Sequence, residues 1–177
     1  MRGRNDAFEP GEKVMYPQFG LGTITGVIEK EVDDTSQVFY RLEFEVNQIE
    51  ILVPVARAVE NGLRKVMGRK DIDKLISYIN SDVPPPKPQQ WHRWRKRTLE
   101  QLKSGDPLEI ATIFRYLACL ECQKGLSFTE RKILHQVERM LIAEIAVAKS
   151  ISEAKAETLL TPARNGLANG NGKRAAS

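Results

Sequence analysis

Asp71-Ile72-Asp73-Lys74-Leu75-Ile76-Ser77-Tyr78-Ile79 is the stretch at which the hydrophobic period of the chain changes. Ile72, Leu75, Ile76 and Ile79 fall at i, i+3, i+4 and i+7, the spacing of one helix face. Before it the apolar runs are short and rich in β-branched and aromatic residues: Lys13–Pro17, Gly20–Ile28, Val38–Phe44 and Ile49–Pro54. Gly, Asp-Asp-Thr-Ser and Val-Asn-Gln segments separate them, the punctuation of a small, strongly bent antiparallel sheet. A last run, Gly62–Val66, completes five strands in about 60 residues, an SH3- or Tudor-like barrel. Gly20 and Gly22 lack the Lys-Ser/Thr and following helix of a phosphate loop and read as a tight strand turn.

After the divide, stop and start signals delimit helices near 71–80, 89–104, 107–123, 127–149 and 151–160. Asp106-Pro107-Leu108-Glu109 offers an N-cap, a proline at the first helical position and an acid in the first turn. Ser127-Phe128-Thr129-Glu130 and Ser150-Ile151-Ser152-Glu153 have capping-box spacing. The helix from 107 is apolar on almost every face, including Leu108, Ile110, Phe114 and Leu117, and is expected at the centre of a helical bundle. The fold class is therefore α+β, a five-stranded antiparallel β-barrel followed by a compact all-α domain of about five helices. The expected divisions are 8–67, 70–160 and a disordered basic tail, 161–177, whose Asn-Gly repeats and Lys173-Arg174 cannot build a core.

Charge is divided as sharply as period. Residues 8–66 hold ten acids and six bases, residues 67–161 twelve acids and sixteen bases, so the parts carry opposite sign within a net +4. Different partners are expected for them. No apolar run reaches the roughly 18 residues of a membrane span. The polar start Met1–Asp6 has no signal-peptide core, and a soluble intracellular protein is expected. Cys119 and Cys122 form a C-x-x-C inside an apolar helical stretch, not at a helix start following a strand, so a reactive dithiol is not expected. Only His92 and His135 are available as further zinc ligands, at no finger-like spacing, and no metal or cofactor is expected. No catalytic constellation or phosphate loop stands out, so the chain is not read as an enzyme.

The strongest concentration of chemistry is Pro84-Pro85-Pro86-Lys87-Pro88-Gln89-Gln90-Trp91-His92-Arg93-Trp94-Arg95-Lys96-Arg97. A proline-stiffened linker delivers both tryptophans and four cations to one helix start. Between Lys87 and Lys103 there are six Lys/Arg and one acid, Glu100. Cations attract phosphates, and a flat aromatic ring can stack on bases or wedge between them. On a helical wheel Trp91, Thr98 and Leu102 share a narrow sector, Trp94 stands to one side, and Arg93, Lys96 and Arg97 point away. Trp91 is open between core packing and an exposed role, and Trp94 reads more readily as packing. The cations are either a solvated face or phosphate contacts. Three functions fit these residues: a nucleic-acid contact coupled to a protein partner, a general nucleic-acid binder, and a two-domain protein adaptor with a Trp/Arg hot spot.

Taken in order, Gly11-Glu12-Lys13-Val14-Met15-Tyr16-Pro17-Gln18-Phe19-Gly20-Leu21-Gly22, Val53-Pro54, Gly62–Val66, Trp91 with Arg93, Lys96 and Leu99, Ser104-Gly105-Asp106, Gly125-Leu126-Ser127 with Glu130, and Glu144 through Ala156-Glu157 carry a resemblance over about residues 8–160. The chain resembles the CarD/CdnL bacterial transcription factors, whose N-terminal module is similar to the RNA-polymerase-interacting domain of the transcription-repair coupling factor. The resemblance implies a monomeric, non-enzymatic regulator in the bacterial cytoplasm, associated with the nucleoid through RNA polymerase, with no membrane or small-molecule partner. Lys30, Leu52 and Pro54 match positions that contact the polymerase β subunit. Leu52 stands where some relatives carry a basic residue, which would make that contact apolar. Trp91 matches a wedge in the minor groove of promoter DNA at the upstream edge of the transcription bubble. Arg93 and Lys96 match phosphate contacts, Arg97 extends that group, and Arg131 and Lys155 match peripheral basic positions. Trp94 falls where relatives often carry a polar or basic residue.

Overall fold

The computed structural model describes residues 8–17, 19–44, 48–81 and 91–160, with the side chains of 91–95 excepted. The proline linker and the tail expected over 161–177 lie outside the described residues. The chain divides into two units. Unit 1 runs to Val66 and takes in Lys103–Gly105; unit 2 comprises Met67–Leu102 and the chain from Asp106 onward.

Unit 1 is a five-stranded antiparallel sheet in the order β4-β3-β2-β1-β5, formed by β1 (Lys13–Tyr16), β2 (Gly20–Val32), β3 (Thr35–Phe44), β4 (Ile49–Pro54) and β5 (Arg64–Lys65). The ladder is open, with β4 and β5 at its edges, so the barrel expected from the strand runs is barrel-like in strand number but not closed. Val14, Ile24, Tyr40, Leu42, Phe44 and Val53 are nearly inaccessible and fill one side of the sheet. Phe8 closes this core, its ring edge-on to Tyr40 at 5.5 Å and its backbone N–H donating to the Tyr40 hydroxyl at 3.2 Å. Glycine is required where the chain folds tightly. At Gly62, φ is +85°, and a Cβ would stand 2.5 Å from Pro17 Cγ and 3.0 Å from the Lys103 carbonyl.

β2 and β3 are longer than the sequence runs, because Val32 pairs with Thr35 across a two-residue turn at Asp33 and Asp34. Both turn residues have positive φ, 50° and 56°, the type I′ geometry whose twist matches the flanking strands. Aspartate tolerates this region through local hydrogen bonding. The Asp-Asp-Thr-Ser stretch is thus a tight hairpin plus the first residues of β3.

Unit 2 contains α1 (Arg69–Ile79), α2 (Trp91–Ser104) as far as Leu102, α3 (Pro107–Lys124), α4 (Phe128–Lys149) and a last helix, α5, over 153–160. Ile110, Phe114 and Leu117 make α3 the buried centre, as its apolar faces predict. Leu108 departs from that expectation, being 54% exposed at the start of the helix. Asp106 caps α3 by accepting from the Leu108 and Glu109 N–H groups. Ser127 and Glu130 form the reciprocal capping box of α4. The second capping-box expectation is corrected at one residue. Ser150 closes α4 in the left-handed region at φ 55°, and Ser152 begins α5, its hydroxyl accepting from the Lys155 N–H.

Buried polar groups tie α1 into unit 2. Arg115 is 1% exposed, donates from Nη2 to the Ser81 carbonyl at 2.9 Å, and lies 4.7 Å from the Tyr78 ring centre. Glu144, 2% exposed, accepts from the Met67 N–H at 3.0 Å. Cys119 and Cys122 are not joined by a disulfide, and Gln123 Nε2 donates to Cys119 Sγ at 3.1 Å. Among the described residues no group of three or more His, Cys, Asp or Glu side chains is arranged to hold a metal, and no helix is long and apolar enough to cross a membrane.

Candidate protein and nucleic-acid interfaces

The sheet register brings Lys30, Leu52 and Pro54 onto one face. Directly opposed residues of antiparallel strands point to the same side, so each row of partners is also a row of neighbours on a face. Pro54 pairs with Phe39 and Phe39 with Ile28; Leu52 pairs with Arg41 and Arg41 with Gly26; Lys30 pairs with Gln37. Tyr40, Leu42 and Phe44 of β3 face the core, so Gln37, Phe39 and Arg41 face away from it, and their partners with them. Rows two residues apart are separated by about 7 Å along the strands. The three positions therefore span one small patch, though they lie on β2 and β4.

A β-bulge determines this placement. Between Ile24, opposite Leu42, and Gly26, opposite Arg41, β2 carries one extra residue, Thr25, whose hydroxyl donates to the Arg41 carbonyl at 3.3 Å. Before the bulge the even-numbered residues Gly22 and Ile24 are buried; after it Ile28 and Lys30 are on the outer face. Without the extra residue Lys30 would follow Ile24 to the core side. Lys30 is exposed, while Ile28, Phe39, Leu52 and Pro54 are half-buried. The patch is an apolar strip bordered by two cations, Lys30 and Arg41. Arg41 Nε lies 3.6 Å from Glu50, beyond hydrogen-bonding distance. Pro54 is tolerated because β4 is an edge strand and its missing N–H breaks no interior ladder.

In unit 2 the candidate residues lie on three helices. Trp91 and Arg93 occupy the first turn of α2; their side chains, like that of Trp94, lie outside the described residues. Farther along α2 the wheel holds, with Thr98 and Leu102 buried at 0% and 6% and Lys96 and Arg97 exposed. Arg131 is exposed on α4 and Lys155 on α5. None of Lys96, Arg97, Arg131 and Lys155 has a carboxylate partner among the described residues. By contrast, Lys74 is paired with Asp71 and Lys149 with Asp73.

Sequence reasoning missed several surface residues. Ile28 and Phe39 contribute to the apolar part of the sheet patch; the parity change at Thr25 conceals Ile28, whereas Phe39 simply alternates with the core residues Tyr40, Leu42 and Phe44 along β3. Phe128 is 75% exposed, with Lys132 Nζ 4.6 Å from its ring centre. The capping box carried the signal for Phe128. A Ser-x-x-Glu places the residue after the serine at the first helical position, where few neighbours cover it.

Comparison with known proteins falls on the same two parts of the chain. Residues 8–67 match the family model described as the CarD-like/TRCF RID domain, and residues 74–161 match the model described as CarD, C-terminal domain. Over 149 residues the chain is 27% identical to YdeB of Bacillus subtilis (strain 168), named as a candidate transcription factor; the match covers 82% of the chain and 95% of that relative.

Proposed function

The chain belongs to the CarD family, and from that membership we propose how it regulates transcription. The family makes it a transcription regulator that engages RNA polymerase. In the proposed mechanism residues 8–67 bind the polymerase β subunit through Lys30, Leu52 and Pro54, and residues 70–160 bind promoter DNA. Trp91 enters the minor groove at the upstream edge of the bubble, with Arg93, Lys96 and Arg97 on phosphates and Arg131 and Lys155 as outlying basic contacts. No catalytic step is assigned to the chain. The observation that carries the reading is the shared outer-face patch of Lys30, Leu52 and Pro54, three positions brought together only by the fold.

The energetics favour such a division of labour. Re-annealing of the upstream edge competes with the open bubble, and a ring occupying the unstacked step removes the space that re-annealing needs. Base–aromatic stacking is worth roughly 1–3 kcal/mol, which shifts an equilibrium about five- to over a hundredfold. Attachment of unit 1 to polymerase raises the effective concentration of unit 2 toward the millimolar range, so weak DNA contacts suffice. Minor-groove insertion reads deformability more than base identity, which suits action at many promoters.

The test is the lifetime of competitor-challenged open complexes formed by the cognate polymerase with the wild-type protein, with Trp91→Ala and without factor. Binding of an isolated β fragment is measured in parallel. The expected result is a longer lifetime with wild type that is lost with Trp91→Ala, while β binding is retained. An unchanged lifetime despite confirmed polymerase binding would remove the wedge and favour a protein adaptor.

A further inference from the structure

Along α4, Phe128, Arg131, Lys132, His135 and Arg139 are all exposed. At 100° per residue they fall within about 100° of arc and extend over about 16 Å of helix. No carboxylate lies inside that arc. Glu130 is buried and turned back to accept from the Ser127 N–H at 2.7 Å, and Glu138 is half-buried beside the arc. Arg131, Lys132 and Arg139 have no carboxylate partner among the described residues. At the head of the stripe stands Phe128, the most exposed large apolar side chain described, at 75%. A largely exposed aromatic ring leading a row of cations without carboxylate partners has the make-up of a single-strand binding surface.

We propose that this face of α4 binds single-stranded DNA, with Phe128 stacking on an unpaired base and Arg131, Lys132 and Arg139 holding successive phosphates. The inference rests on the nucleic-acid reading of unit 2 but not on Trp91. Single-stranded DNA is favoured over duplex because a duplex keeps its base faces stacked inside and offers the ring only backbone and groove edges. The Lys132 ammonium, already 4.6 Å from the ring centre, is close enough to neutralise the phosphate of a nucleotide stacked there. In a promoter complex the matching ligand is the displaced strand of the bubble, bound without sequence preference.

The experiment uses the full chain carrying Trp91→Ala, so that binding at α2 does not mask the signal. Fluorescence anisotropy follows a labelled oligo(dT) of about twelve nucleotides, within the usual site size, and a duplex of the same length. The oligo(dT) is expected to bind more tightly than the duplex. Phe128→Ala is expected to weaken oligo(dT) binding about tenfold, the order of one base stack, and Phe128→Trp to retain it. Arg139→Gln should reduce the salt slope by about 0.7, one phosphate on a single strand. Duplex binding as tight as oligo(dT), or oligo(dT) binding unchanged by Phe128→Ala, would overturn the proposal. Because the readout is free oligonucleotide, failure here leaves the open-complex test of Trp91 standing, and failure there leaves this one standing.

Discussion

At the scale of single residues, buried polar groups and one surface ion pair set the expected sensitivities. The N-cap of α1 is Gly68, which has no side chain to accept a hydrogen bond, and the preceding Met67 N–H is taken by Glu144 of α4. Glu144→Ala leaves that donor without this acceptor in a partly buried place and is expected to destabilise unit 2 by about 1 kcal/mol, the low end of the cost of an unsatisfied donor. Glu144→Gln keeps an acceptor and should cost less. Urea melts of the two variants measure the difference, and equal losses would assign the effect to charge. In unit 1, Glu12 reaches Lys65 of β5 at 2.7 Å, and that hydrogen bond holds the Glu12 carboxyl below its ordinary value, against the opposing effect of burial. A carboxyl with a lowered folded pKa adds stability above its unfolded pKa, near pH 4, and loses it as pH falls through the folded value. Glu12→Gln should therefore lower the thermal midpoint at neutral pH and converge with wild type in acid. Because the pair is partly exposed, the gap should be small and should shrink with salt.

At the scale of elements, helices were legible where caps and period agreed, and strands where turn residues bracketed them. Asp106-Pro107 and Ser127-x-x-Glu130 located the starts of α3 and α4 because side-chain caps are local chemistry. Ser150 misled because the same small polar residue that caps an N-terminus also closes α4 in the left-handed region. The candidate sheet patch was less accessible to periodicity. Alternation along β2 places Lys30 on the core side with Ile24, and only the extra residue at Thr25 reverses it. A bulge depends on pairing with β3, so no pattern within β2 reveals it. The hairpin length was hidden for a related reason, since Asp33 and Asp34 both adopt positive φ in place of the Asn-Gly that usually announces a type I′ turn. Replacing them by Asp33→Asn and Asp34→Gly should relieve that conformational cost and stabilise the β2–β3 ribbon by up to about 1 kcal/mol. Slower amide exchange at residues 30–37 would register the gain. Faster exchange would mean that the aspartates make a local contribution that the substitutions lose.

At the scale of the molecule, the opposite charges of the two sequence halves make their contacts separable by salt. The outer-face patch combines half-buried apolar groups with only two bordering cations, so its binding to a β fragment should depend mainly on apolar burial, which salt does not screen. DNA binding instead releases counterions, and its affinity should fall with a log–log slope of about −0.9 for each duplex phosphate contacted. Lys96→Gln should flatten that slope by about one contact while leaving β binding unchanged; Leu52→Glu should weaken β binding at every salt concentration and leave the DNA slope as it was. Titrating each variant against a β fragment and a forked duplex from low to moderate salt checks both halves of the expectation. If Leu52→Glu instead changed the DNA slope, or Lys96→Gln weakened β binding, the assignment of separate partners to residues 8–67 and 70–160 would fail. The effect on open complexes should then follow from the two together. Moderate salt that releases unit 2 from free DNA should still permit action at a promoter, because attachment to polymerase replaces the lost electrostatic attraction with effective concentration.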